Sequence, residues 1–301
     1  MSLIVANGLS KRYGGTTALD QITLTLEPGA PVALIGPNGA GKTTFLSLLC
    51  GFIRPSAGSV QILGKKPGSS SLSGRLAALP QDAVLDPRLG IGRQLRFLSE
   101  LQGMTRRDAR VDVERVLQAV DLADVVHKKP TELSHGMRKR VSIAQTLLGS
   151  PSVVLLDEPT AGIDPPNAKM IRDVVRHESG EITFIVSSHN LDELERLCET
   201  VVYLEKGKLL SHGSLADDTT NGILTLRLIG VDESDFLSAC IMIPTVLDVS
   251  RLAQGDYLLK VSDDMLASQA VLELLQQRGW KYRQLSRGRT LEERFYGSSA
   301  G

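Results

Sequence analysis

The sequence predicts a two-part α/β chain. A parallel sheet, with an antiparallel β subdomain and a helical subdomain, precedes a small α+β domain of ferredoxin-like order. Three observations predict this. Short apolar runs at Pro31-Val32-Ala33-Leu34-Ile35, Val153-Val154-Leu155-Leu156 and Ile182-Thr183-Phe184-Ile185-Val186 read as buried strands. From about Pro87 to Pro130 the pattern turns helical, with Val113, Val116, Leu117 and Val120 three and four residues apart. Beyond a weakly patterned stretch at 212–222, the segments run β-α-β-β-α-β.

The elements follow in order. Leu3 to Leu26 alternates apolar and polar residues, is broken at Gly14-Gly15, and reads as antiparallel strands. The apolar run at 31–35 enters a Gly-rich turn and then a helix from about Lys42 to Gly51. Ser59–Leu63 reads as an edge strand, 67–74 as a loop, and Ala77-Ala78-Leu79-Pro80 as a short strand stopped by proline. A helix such as Asp192–Cys198 lies among the later strands, and Val201–Leu204 and Lys208–Ser211 bracket a hairpin at Lys206-Gly207. The last part reads as strand 223–229, helix 232–240, strands 245–250 and 256–261, helix 263–278 and strand 280–285. Apolar positions such as Leu266, Val271, Leu274 and Leu275 are expected to supply its core.

Composition narrows the function. The chain has 301 residues, 42% hydrophobic and 23% charged, which excludes disordered, collagen-like and pure coiled-coil classes. Lys+Arg and Asp+Glu both number 34, so the basic excess of a nucleic-acid binder is missing. The basic cluster Arg278, Lys281, Arg283, Arg287 and Arg289 reads as a solvated face, and no nucleic-acid partner is expected. No apolar run approaches the ~20 residues of a membrane span. Three cysteines without metal spacing, Cys50, Cys198 and Cys240, fit a reducing compartment.

Gly36-Pro37-Asn38-Gly39-Ala40-Gly41-Lys42-Thr43 matches G-x-x-x-x-G-K-[ST] between a strand and a helix. Glycines turn backbone N–H groups inward, and the helix N-terminus presents its positive dipole end to phosphate oxygens. Lys42 is expected to reach the β- and γ-phosphates, Thr43 to offer its hydroxyl to Mg²⁺, and Thr44 to lie near the α-phosphate. A buried strand ending in Asp157-Glu158 delivers two carboxylates to the same crevice. Asp157 fits a Mg²⁺ ligand, and Glu158 fits a general base for the attacking water.

Leu133-Ser134-His135-Gly136-Met137 stands twenty residues before that strand. With it, the chain resembles the nucleotide-binding subunit of an ABC transporter over about residues 3–213. Further motifs fall in the family's order: Tyr13 after Lys11-Arg12, Gln81 after Leu79-Pro80, Ala161-Gly162-Ile163-Asp164, and His189 after Ser187-Ser188. The resemblance implies that Tyr13 stacks on adenine, Gln81 serves Mg²⁺ and the lytic water, and His189 holds the γ-phosphate and Glu158 in register. Ser134, Gly136 and Asp164 would act in trans from a second subunit. His135 and Met137 depart from the common L-S-G-G-Q form, while Ser134 and Gly136 keep the positions that meet the γ-phosphate.

The form Ser134 to Arg140, S-x-G-M-[RK]-x-R, resembles the ABC-2 type exporter branch, as does the tail Thr290-Leu291-Glu292-Glu293-Arg294-Phe295. What the resemblance implies is an ATPase domain at 1–213, with a helical subdomain at about 85–140, and an accessory or regulatory domain at 216–301. Its cofactors would be ATP and Mg²⁺. Its partners would be a second ATPase subunit, most simply a homodimer, and an integral membrane subunit at the cytoplasmic face. An importer subunit and a soluble non-transport ATPase are the alternatives. Against the latter, the chain has one cassette, and no coiled coil separates Gln81 from Leu133.

Overall fold

The computed structural model describes residues 2–214, 222–252 and 256–288, and divides into two compact units, Met1–Gly213 and Ser214–Gly301. The sequence readings at 215–221, at Arg289 and at Thr290–Phe295 lie outside the described residues.

In the first unit, β1 (Ile4–Tyr13) pairs antiparallel with β2 (Thr16–Leu26) across the Gly14-Gly15 turn. Next come β3 (Val32–Ile35), α1 (Lys42–Cys50) and β4 (Ala57–Ile62), and β4 pairs with the other edge of β1. Ile22, Leu24 and Leu26 of β2 are buried in alternation, as expected for a sheet with one face on the core, and Leu19 is buried beyond a register shift at Gln21. The segment 67–74 is a loop holding one 3₁₀ turn at Ser70–Leu72.

β5 (Leu76–Leu79) leads into the helical part. It holds α2 (Ile91–Leu101), α3 (Arg106–Ala119) and α4 (His135–Thr146). Thr105 caps α3 by accepting the Asp108 N–H at 3.2 Å, and Ala109, Val113, Val116 and Leu117 form its buried stripe. Arg140 of α4 donates to the Val120 carbonyl at 3.0 Å, which ties α4 to the end of α3.

The chain then makes β6 (Val153–Asp157), α5 (Pro165–Glu178), β7 (Thr183–Ser187), α6 (Leu191–Leu197), β8 (Thr200–Glu205) and β9 (Lys208–Ser214). The six-stranded sheet has the order β5-β6-β7-β3-β8-β9. Strands β5, β6, β7, β3 and β8 are parallel, so their C-terminal ends open on one edge. Every residue of β3, β6 and β7 is buried, as a sheet covered on both faces requires.

The helix read at 192–198 is α6, between β7 and β8. The crossover from β6 to β7 is α5, which the sequence reading did not single out. Pro165-Pro166 looks like a loop signal, yet the first helical turn needs no N–H there. Ala168, Ile171, Val174 and Val175 then give it a buried face.

The second unit contains β10 (Ile223–Ile229), α7 (Glu233–Ile241), β11 (Val246–Arg251), β12 (Asp256–Val261), α8 (Asp264–Arg278) and β13 (Lys281–Arg287). Its antiparallel sheet has the order β11-β12-β10-β13, the ferredoxin-like arrangement. Leu224, Leu226, Phe236, Tyr257, Leu259, Val271 and Leu275 build the core. Phe236 stands 4.5 Å from the Tyr257 ring and 6.0 Å from the Trp280 ring, centroid to centroid. Leu266 is a correction: it is 59% exposed, because the inward stripe of α8 runs through Ala267, Val271 and Leu275, one residue away.

Candidate active site

The loop 36–41 joins β3 to α1 and needs glycine for packing reasons. Gly36 has φ 148°, and a Cβ there would lie 2.1 Å from the Leu204 carbonyl oxygen of β8. The Lys42 ammonium lies over this loop and donates to the carbonyls of Gly36 at 2.7 Å and Pro37 at 3.2 Å. Burial lowers its pKa, an effect that Glu158 and Asp157 oppose.

A cleft of about 320 Å³ opens in front of the loop. Asn38, Gly39, Ala40, Gly41, Lys42, Thr43 and Thr44 line one side, and Gln81, Asp157 and Glu158 line the other. The sheet order explains the meeting. β3 and β6 both flank β7, so the ends of all three strands are neighbours.

Ser187, the last residue of β7, is paired in register with Asp157. Its hydroxyl donates to Asp157 Oδ1 at 2.5 Å. The same Ser187 accepts the Glu158 N–H, at 3.0 Å on Oγ and 3.2 Å on the carbonyl. Glu158 needs this hold, because its φ of 49° is a left-handed conformation that a glutamate rarely adopts. That turn brings Glu158 Oε2 to 2.7 Å from His189 Nδ1. The Glu158 side chain is 11% exposed and the His189 side chain 68%, so the pair has one shielded member and one facing solvent. Sequence reasoning missed Ser187 as an anchor, and only the strand register reveals it.

Tyr13 stands half-exposed at the end of β1, with the Lys11 ammonium 4.9 Å from its ring centroid, and does not line the cleft. Ser134, Gly136 and Asp164 are not among the residues lining the cleft either. Ser134 caps α4 by accepting the Met137 N–H at 3.2 Å. A Cβ on Gly136 would lie 2.4 Å from the Asn167 side chain, so α4 and α5 touch there. Asn167 donates to Asp164 Oδ1 at 2.6 Å, which holds the Asp164 carboxyl below its usual range. Gly136 and Asp164 thus share one patch with Asn167 between them.

A second, larger hollow of about 530 Å³ is mainly apolar, and Asp157 and Glu158 are not on its walls. Val84, Leu85, Pro87, Pro130, His135 and Lys139 are on its walls. Val84 is 90% exposed there, an open apolar contact point.

The family profile described as ABC transporter matches residues 19–161. The chain is 30% identical to the linearmycin resistance ATP-binding protein LnrL of Bacillus subtilis (strain 168), over 82% of each chain. It is 33% identical to the Nod factor export ATP-binding protein I of Burkholderia orbicola (strain AU 1054), over 68% of this chain and 69% of that one. A solved ATP-binding subunit of an ABC transporter superposes with a TM-score of 0.64 at 28% identity, covering 71% of this chain and 91% of that one.

Proposed function

The chain belongs to the ABC transporter ATP-binding proteins, and on that footing we propose that this ATPase powers an exporter from the cytoplasmic face of a membrane. The observation that carries the reading is a divided site. Lys42, Thr43, Gln81, Asp157 and Glu158 share one cleft, while Ser134, Gly136 and Asp164 stand outside it. Two chains facing head to tail would complete each other's sites across a closed two-fold interface.

Within a site, Lys42 and the loop N–H groups hold the β- and γ-phosphates, and Tyr13 stacks on adenine. Glu158 takes a proton from the attacking water, with His189 holding it in place. The oxygens of Thr43, Gln81 and Asp157 are the hard donors that suit Mg²⁺, and all three residues line the cleft. Bound there, Mg²⁺ would supply charge neutralisation at the phosphates.

Export as the direction is supported by the Nod factor export relative. No described helix is long and apolar enough to cross a membrane, so transport calls for a membrane subunit. The apolar hollow lined by Val84, Leu85 and Pro87, a few residues past Gln81, is its docking place on this reading.

Complementation between dead variants tests the divided site. Lys42→Ala and Ser134→Arg chains are each expected to be inactive in ATP hydrolysis. Mixed equally, about half of the dimers pair unlike chains and hold one intact composite site of two, so activity returns to about a quarter of wild type. A mixture as inactive as its parts would overturn the head-to-tail reading.

A further inference from the structure

Glu193 lies in the first turn of α6, three residues after the N-cap Asn190, whose side chain accepts the Glu193 N–H at 3.3 Å. A glutamate at that place ordinarily reaches back to the cap's own N–H, closing a capping box. Here the Asn190 N–H donates to Ser188 Oγ at 3.0 Å. The Glu193 carboxylate is turned across the fold to two other elements. Its Oε2 accepts the Thr160 hydroxyl at 2.8 Å, and its Oε1 accepts Arg172 Nη1 at 2.6 Å. The Arg172 and Glu193 side chains are 22% and 19% exposed, so neither bond is an open-surface contact.

Each partner comes from a segment that matters to the site. Thr160 is two residues past Glu158, in the turn where the Ala161 N–H bonds back to the Glu158 carbonyl at 3.3 Å. Arg172 is on α5, the helix that follows Asp164 and places Asn167 against Gly136, five residues before Arg172. Glu193 itself is four residues past His189. One carboxylate therefore joins the Glu158 turn, the middle of α5 and the His189 segment.

We propose that Glu193 is a positioning residue. It fixes His189 against Glu158 by tying α6 to α5 and to the turn that follows Glu158. The inference rests on the reading of Glu158 as general base. The far end of α6 is held by Leu194, which is buried, and by Arg176, which donates to the Arg196 carbonyl at 3.1 Å, so loss of the Thr160 and Arg172 bonds loosens its first turn, next to His189 and its 2.7 Å contact with Glu158. The groups assigned above to ATP within one chain, Tyr13 and the β3–α1 loop, lie outside α6. The loss therefore falls on turnover rather than affinity.

The test uses the full chain with Mg²⁺ and measures ATPase kcat and KM for Thr160→Val, Thr160→Ser, Glu193→Ala and Glu158→Gln. Thr160→Val and Glu193→Ala are expected to lower kcat about tenfold with KM held within about twofold. Thr160→Ser keeps the hydroxyl and is expected to run at the wild-type rate. Wild-type kcat in both Thr160→Val and Glu193→Ala would overturn the proposal. So would equal losses in Thr160→Val and Thr160→Ser, which would point to the methyl group and packing. If Glu193→Ala fails to fold, the valine–serine pair at Thr160 decides alone. Glu158→Gln separates the two levels. Full turnover in it sinks the reading of the site and this proposal with it, whereas a dead Glu158→Gln beside unaffected Thr160 and Glu193 variants sinks only the proposal.

Discussion

Glu158 is the residue on which the hydrolytic reading turns. It is buried, strained and hydrogen-bonded to His189, a combination that a stability role does not call for. Glu158→Gln keeps the size and the left-handed turn but cannot accept a proton. Turnover is expected to fall by roughly 10²–10⁴, the range for loss of a general base, with ATP affinity retained. ATP plus Mg²⁺ should then trap a dimer, seen by size-exclusion chromatography, and full turnover would remove Glu158 from its role. Residues of this kind were legible in the sequence when their signal was local. The loop 36–43 and the pair Asp157-Glu158 are contiguous, so their chemistry can be read along the chain. Ser187 and Glu193 were not legible, because their partners are 30 and 33 positions away and are delivered by strand order and helix packing.

Element by element, the parallel strands and the helices flanking them were readable from apolar runs and periodicity. The helix α5 was obscured by Pro165-Pro166, two residues that suit a first turn as well as a loop. The start of α4 shows one side chain with two duties. Ser134 caps the helix, and on the proposed reading the same hydroxyl meets a partner's γ-phosphate. Two substitutions part these duties. Ser134→Ala removes the cap and is expected to cost about 1 kcal/mol of stability, read from denaturant unfolding. Ser134→Asp retains a capping oxygen and the helix-dipole preference for a negative group, so stability should hold. Its charge, however, faces the phosphate, and ATP-driven dimerisation should be lost. A Ser134→Asp chain that dimerises like wild type would confine Ser134 to its capping role.

At the scale of the whole molecule, the question is what the second unit is for. The strand and helix order of 223–287 was legible because each segment is short and bounded by polar or glycine residues. Which of its leucines face inward was not, since the stripe of α8 is set by a register that Leu266 misses by one position. We propose that residues 216–301 form an accessory domain that regulates or stabilises the ATPase and takes no part in its chemistry. Every cleft residue, from Ala18 to Glu158, belongs to the first unit, as do His189, Ser134 and Asp164. The second unit has its own closed core around Phe236, Tyr257 and Leu259, enough for a small domain to stand by itself. A chain ending at Ser214 therefore keeps all strands of the six-stranded sheet and is expected to fold and bind ATP with Mg²⁺ at close to wild-type affinity, measured by calorimetry. Insolubility or loss of ATP binding would make the second unit part of the catalytic core. A shortened chain that binds ATP but no longer dimerises in the Glu158→Gln background would assign the second unit to assembly. A change in the hydrolysis rate alone would assign it to regulation.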